Sequence, residues 1–522
     1  MQSAPLIAPR RRSLAVWSAL ALVMVALSYV LTIFLAVAGV YLPWIWLAAG
    51  GNLGSLAMFV FGVLMSATML WSLVPRFGQL PKPGARLDEV RDARLFAEIR
   101  RIASDLAEPM PAEVYAIGDL NAWVAERGGV LGFGSRRVLA VGLPLLSVLT
   151  VGELRAVLAH EFAHYYGGDT RMGRWVFAAR DAMTQSLNRL TAKSPLTAAM
   201  RVLGRLAIVA VAYWLVVTVL VTYWKLFVRA TNLLSRRQEY RADELASLVA
   251  GGNELASGLR RIEGVAPMLP VFWQQEMFPA MAAGLRPPFA AGFLQRLQAP
   301  AVAEAAAQRV EERLKNPTHT AFDTHPPLRD RLAAIAVYPG KNAPDGEEPA
   351  AQLLSDSGAV EMELLQVLLP KVPVVRMRAV SWEEVGDRVY VERWRASVAQ
   401  YGSLIAGWKI GDLPSVVDRG AEMAAKIRDP KGVLLTREQR ADRVRDFVAG
   451  ALALALVQRG WELHATPGDV FLCRDAARLS PKAVVDGIAS NAEERFGWAE
   501  KARGLGIEEI PLVSELAASA GK

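Results

Sequence analysis

The sequence predicts a mainly α-helical protein with a small sheet, anchored in a membrane and ending in a helical α+β domain. Three observations carry that prediction: a charge-free apolar stretch between Arg12 and Arg76, helical periodicity interrupted by short glycine-bounded apolar runs, and a polar break near residue 345. The chain has 522 residues, 53% apolar and 21% charged, with a formal net charge of +8 and a mean hydropathy of +0.23. Such a length gives room for two or more domains, and the composition excludes disorder, collagen-like repeats and a disulfide scaffold. The single cysteine, Cys473, cannot close an intramolecular disulfide, which suits a reducing compartment.

The elements follow in chain order. After a basic tail at residues 1–12, residues 13–75 hold no Asp, Glu, Lys or Arg, enough for two crossings of roughly 20 residues each. Pro43, Gly50, Gly51 and Gly54 break the stretch, with Trp44 and Trp46 as interfacial anchors, so the expected unit is a transmembrane hairpin of Ser13 to Tyr41 and Leu53 to Val74. A cleaved signal peptide is the alternative, but its apolar region runs only about 7–15 residues. Arg10, Arg11 and Arg12 before the hairpin, and Arg76, Lys82, Arg86, Arg91 and Arg94 after it, place both flanks in the cytoplasm. Topology and anionic lipid thus account for most of the positive charge. A nucleic-acid partner has no motif to support it, whereas the lipid bilayer is an expected partner.

Prolines and a glycine at Pro75 to Gly84 open the next domain, expected to span 76–340. Asp88 to Leu106 reads as a helix with Val90, Leu95, Ile99 and Ile102 on one face. Val114 to Ile117 and Val138 to Val141 read as short strands. Leu145 to Tyr166 reads as a helix ended by Gly167 and Gly168.

That helix carries His160-Glu161-Phe162-Ala163-His164. Histidines at i and i+4 share a helix face, so both imidazoles can reach one Zn²⁺ while Glu161 meets the coordinated water. Zinc lowers that water's pKa to about 7, and the carboxylate takes its proton. Only five histidines occur in the chain, so chance placement is a weak explanation.

A catalytic zinc keeps three protein ligands and one open position. A third histidine six residues after His164 would complete one known pattern, and Gly167 matches that pattern's glycine, but position 170 is Thr170. The other solution is a glutamate on a later helix. Glu239 and Asp243 lie at i, i+4 in Ser235 to Ala246, where Glu239 would ligate zinc and Asp243 would hydrogen-bond a ligand histidine. Taken alone, Arg236, Arg237, Glu239, Arg241 and Asp243 read as a solvated helix face. The upstream His-Glu-x-x-His reverses that preference.

These words, with Thr324-His325-Pro326-Pro327-Leu328-Arg329-Asp330-Arg331, resemble the three ordered motifs of the HtpX and CAAX prenyl protease type 1 family of membrane zinc metallopeptidases. Asn121-Ala122 and the run Val138 to Leu149 are similar to that family too, so the resemblance covers roughly Asn121 to Leu332. It implies a zincin-like (gluzincin) metalloprotease domain holding one Zn²⁺ on His160, His164 and Glu239, with Glu161 as general base. It also implies that His325 stabilises the tetrahedral intermediate or binds the substrate carbonyl, and that Arg331 orients the His325 loop. By the same comparison the strand Val138, Leu139, Ala140, Val141 is expected to be the edge that pairs with extended substrate. His319 and His464 match no motif, the latter in a hairpin expected over Trp461 to Cys473.

A further uncharged segment, Leu206 to Trp224, is long enough to cross a bilayer. A lone crossing there would separate Glu239 from His160, so the chain between Tyr165 and Ser235 must cross an even number of times. The other half of that interval, Thr170 to Met200, carries Arg171, Arg174, Arg180, Asp181, Arg189 and Lys193, costly in lipid. Crossing, dipping and burial in protein all stay open for 206–224. Residues 341–352 read as a linker, and 353–522 as a C-terminal domain whose helices include Glu383 to Gln400 and Arg437 to Arg459.

The expected function is a zinc endopeptidase at the cytoplasmic face of an inner membrane, acting on polypeptide substrates; that these are damaged or unassembled membrane proteins is what the resemblance implies. A CAAX-type processing protease and a non-catalytic zinc-fold scaffold are the alternatives. An intramembrane protease is disfavoured because Glu153 and Arg155 give the His-Glu-x-x-His helix a polar face.

Overall fold

The structure, a computed structural model, describes residues 12–73, 82–127, 136–165, 207–316, 325–341, 346–427 and 435–513. It is mainly helical with small sheets. Three helices among the described residues are long and apolar enough to cross a membrane: Val23–Ala48, Leu53–Trp71 and Val209–Arg229. His319, the Gly167-Gly168 stop and the interval Thr170 to Met200 lie outside the described residues.

The first membrane helix, α1 (Arg12–Ala48), runs past the expected end at Tyr41 and carries Pro43 inside it. Proline has no N–H for the carbonyl four residues back, so the Gly39 oxygen loses its helical donor. That carbonyl faces Gly62 of α2 (Leu53–Leu73), where an added Cβ would sit 1.9 Å from Gly39 O. The missing side chain is what lets the two backbones approach, as small residues do in membrane helix pairs. Three residues before Gly39, the Ala36 carbonyl accepts across the pair from the Ser66 hydroxyl at 2.7 Å. The turn falls at Gly50, whose φ of +91° favours glycine. Gly62→Val should therefore force the helices apart and lower stability by about 1–3 kcal/mol. Thermal unfolding in detergent reads this out, and an unchanged midpoint would remove the contact from the account.

The third membrane segment belongs to one continuous 44-residue helix, α6 (Ala207–Ala250), which also carries Glu239 and Asp243. Phe61 of α2 meets Tyr213 edge-on at 6.3 Å, and Phe61, Met65 and Met69 share a core with Val209 and Leu220. Val25 of α1 packs on Phe227 and Val228. These pairings run α6 parallel to α2 and antiparallel to α1. Its Glu239 end therefore emerges on the side where α1 begins and α2 ends.

The chain divides into two compact units, one of residues 1–117, 121–263 and 310–356, the other of 118–120, 264–309 and 357–522. This division differs from the expected boundaries at 340 and 353, because 264–309 joins the C-terminal unit. Residues 346–356 are no free linker either. Val151 N–H donates to Glu348 O at 2.7 Å, Gly152 N–H to Gly346 O at 3.0 Å, and Ala350 N–H to Leu149 O at 2.9 Å. The segment thereby satisfies donors that a helix start leaves without intrahelical partners.

In the first unit, α3 (Ala93–Asp105) buries Leu95, Ile99 and Ile102, whereas Val90 is 89% exposed. Val90 falls instead in a turn where the Asp88 carboxylate accepts from the Val90 and Arg91 N–H groups. The sheet contains β1 (Ala85–Arg86), β2 (Glu113–Ile117), β3 (Ala122–Arg127) and β4 (Arg136–Gly142), in the order β1-β2-β4-β3. Val138, Leu139, Ala140 and Val141 therefore form no edge: β4 pairs parallel with β2 and antiparallel with β3 along that whole run. Among the described residues the sheet's edges are the two-residue β1 and the longer β3.

The expected helix from Leu145 to Tyr166 is two helices, α4 (Leu143–Val148) and α5 (Val151–Ala163). Thr150 stops the first and starts the second through a capping box, its Oγ1 accepting from Glu153 N–H while Glu153 accepts from Thr150 N–H. Glu153 and Arg155 do not give α5 a polar face, since each is only 4% exposed. Arg155 donates to Glu98 at 2.7 Å, and Ser257 and Arg261 of α7 (Gly252–Val265) donate to Glu153.

The second unit is built around the helix Arg437–Val457, buried from Phe447 to Leu456 among Val391, Leu413, Leu472 and Val485. The hairpin expected at Trp461 to Cys473 forms as strands Glu462–Thr466 and Asp469–Arg474, joined by a turn with Gly468 at φ +79°. Its third strand, Ala477–Leu479, is too short to stand out from the sequence.

Candidate active site

Three elements of the first unit bring the site together. Helix α5 presents His160, Glu161 and His164, the middle of α6 presents Glu239 and Asp243, and the turn before α8 (Leu328–Ile335) presents His325. The i, i+4 spacing stacks the two imidazoles with ring centroids 4.8 Å apart and planes at 83°. His160 Nε2 and His164 Nε2 each lie 3.5 Å from a different oxygen of Glu239. His325 Nδ1 approaches the same carboxylate at 2.6 Å. The Glu161 carboxylate lies within 4.8 Å of the histidine nitrogens.

Behind these groups runs a buried chain of charge. Arg331 grips Asp243 with two nitrogens, at 2.9 and 2.7 Å, and Asp243 Oδ1 lies 3.0 Å from His160 Nδ1. That last approach is close, but its angle is poor for a hydrogen bond. Asp243 is 1% exposed and Arg331 8%. The guanidinium of Arg331, the residue expected to orient the His325 loop, holds the carboxylate behind His160.

The protein groups alone shift the two histidines and the two carboxylates of the site in opposite directions. Burial would lower the His160 pKa, but Asp243 and Glu239 outweigh it and raise it to about 9. Burial, with the neighbouring His160, lowers His164 to about 4. Burial pushes Glu161 up to about 7, a proton-accepting range near neutral pH. For Glu239 burial is outweighed by hydrogen bonds from His160 and His325, which hold it well below the usual carboxylate range.

These residues fit a metal ion. Ligand atoms set tetrahedrally at about 2.0–2.2 Å from one Zn²⁺ are spaced about 3.3–3.6 Å apart. The 3.5 Å separations between each histidine Nε2 and the Glu239 oxygens fall in that range. Asp243 on the far nitrogen of His160 matches the carboxylate–histidine pairs that orient metal-binding imidazoles.

Sequence reasoning missed the edge strand. The bond from Gly142 N–H to Asn121 O sets the alternation of the β3–β4 ladder, so the backbone groups of Ala122, Val124 and Glu126 point away from β4. Val124 O accepts from the Tyr165 hydroxyl at 2.7 Å, one residue beyond His164, and the Arg137 guanidinium lies 4.6 Å above the Tyr165 ring. In Ala122-Trp123-Val124-Ala125-Glu126-Arg127 four apolar residues precede two charged ones, with no period-two alternation to mark a half-exposed strand.

Residues 89–338 match the sequence profile described as peptidase family M48. Protease HtpX of Chromohalobacter salexigens is 24% identical over 306 residues, covering 55% of this chain and 87% of that protein. Protease HtpX of Idiomarina loihiensis is 26% identical over 250 residues, covering 46% and 80% respectively. Protease HtpX of Xylella fastidiosa is 30% identical over 174 residues, 32% of this chain, which spans 56% of that relative's length. No solved structure matches significantly. Over residues 89–338 the chain is thus similar to peptidase family M48 and to the HtpX proteases, and it joins that likeness to three apolar helices and a His-Glu-x-x-His helix.

Proposed function

We propose that the chain is a zinc endopeptidase of the inner membrane, its site facing the cytoplasm, that cleaves exposed segments of damaged or unassembled membrane proteins. The observation that carries this reading is the convergence of His160 and His164 on opposite oxygens of the one Glu239 carboxylate. A donor set of two imidazoles and a carboxylate suits zinc and leaves one coordination position for reaction. Bound there, zinc would polarise the scissile carbonyl and acidify the attacking water.

The chain's own groups do the rest. Glu161 accepts the water's proton and returns it to the leaving amine. His325, whose side chain is 61% exposed, donates to the carbonyl oxygen as negative charge develops on it. Asp243 and Arg331 hold the His160 ring in place. Substrate pairs along β3, using the outward backbone groups of Ala122, Val124 and Glu126, once Tyr165 releases Val124 O and the Asn121 side chain releases Ala122 N–H. An edge strand reads extended backbone and little else, which favours unfolded segments over folded domains. That preference, with the membrane anchor, supports a role in clearing faulty membrane proteins.

Glu239→Ala tests the assignment. It should remove stoichiometric zinc and abolish cleavage of an unfolded polypeptide, read by metal analysis and by fragment release. Zinc retained at the wild-type level would move the third ligand elsewhere.

A further inference from the structure

One helix, α6, is long and apolar enough to cross a membrane and also carries Glu239 and Asp243. Helix α6 has neither proline nor glycine between Ala207 and Ala250, so none of the usual kink residues interrupts it. Its apolar segment Val209–Arg229 has 21 residues, about 31 Å at 1.5 Å per residue, the thickness of a bilayer's hydrocarbon core. Lys225 and Arg229 mark its polar end. From Arg229 to Glu239 the same helix rises about 15 Å further. The span is braced by α1 and α2 through Val25, Phe61, Met65 and Met69, and the Glu239 end is braced by the contacts of His160 and Arg331.

We infer that α6 acts as a ruler, fixing the site at a set height above the bilayer so that the cleaved bond in a membrane substrate is chosen by its distance from the membrane. The inference rests on the endopeptidase reading and adds a specificity rule to it. An extended chain advances about 3.3 Å per residue, so about five residues are needed to climb from the hydrocarbon edge to the height of Glu239. Bonds nearer than that cannot reach. Bonds much farther away reach with a closure cost that grows with the length of intervening chain.

The test uses the wild-type full chain in lipid vesicles with single-span substrates. Each carries one fixed unstructured cytoplasmic sequence, set 0, 3, 6, 9 or 12 Gly/Ser residues from the span, and cut sites are mapped by mass spectrometry. The same polypeptide without a span is the soluble control. The expected result is a cut zone that stays about five to eight residues from the span while the sequence slides through it, with no cut within two residues of the span. In the soluble control the cuts should follow the sequence instead. Cuts that move with the sequence in the membrane series, or that fall beside the span, would overturn the ruler while leaving the peptidase reading intact. No cleavage of either substrate would remove both.

Discussion

Glu161→Gln is expected to slow hydrolysis of an unfolded polypeptide by about 10²–10⁴-fold, the usual worth of a positioned general base, while zinc content stays unchanged. The amide copies the shape of the carboxylate but cannot take a proton. Its neighbours His160 and His164 would supply the ligand nitrogens from the same face of α5, and neither depends on Glu161 for its approach to Glu239. The substitution therefore separates metal binding from proton transfer. Fragment release under single-turnover conditions, paired with metal analysis of the same sample, measures both. Equal cleavage by the variant and the wild type would end the assignment of Glu161 as base.

How much of this was legible in the sequence depended on whether the signal was local. The i, i+4 histidines could be placed on one helix face because the helical period alone decides it. Glu239 and Asp243 were legible for the same reason, although only the upstream motif separated them from a solvated face. The edge strand was not legible. An apolar run such as Val138 to Val141 looks alike at an edge or a centre, because pairing partners are set by β2 and β3 elsewhere in the chain. Its full burial on both sides, with Leu139, Ala140 and Val141 at 0% exposure, in fact suits a central strand better. The capping box at Thr150 and Glu153 was local and could have been read, which would have split the expected helix at its true break. The docking of Gly346 to Ala350 on the start of α5 could not, since it is made by backbone groups that any sequence carries. The direction of α6 likewise came only from packing, through Phe61 against Tyr213 and Val25 against Phe227.

Asp243→Ala should be the most damaging single change outside the ligands and Glu161. Asp243 grips the Arg331 guanidinium with both carboxylate oxygens, and Arg331 is 8% exposed. Removing the carboxylate leaves a buried cation without its bidentate partner, a loss of about 3–5 kcal/mol. The same carboxylate faces His160 Nδ1, so zinc affinity should fall by about 10–100-fold as the ring loses its orienting group. Adding Arg331→Met should restore much of the stability, because the stranded charge is gone, yet leave zinc affinity low, because His160 still lacks Asp243. A double-mutant cycle read by thermal unfolding and by competition for zinc with a chelator distinguishes the two roles. If Arg331→Met restored zinc affinity along with stability, Asp243 would act on the metal only through the fold, and its place behind His160 would be structural alone.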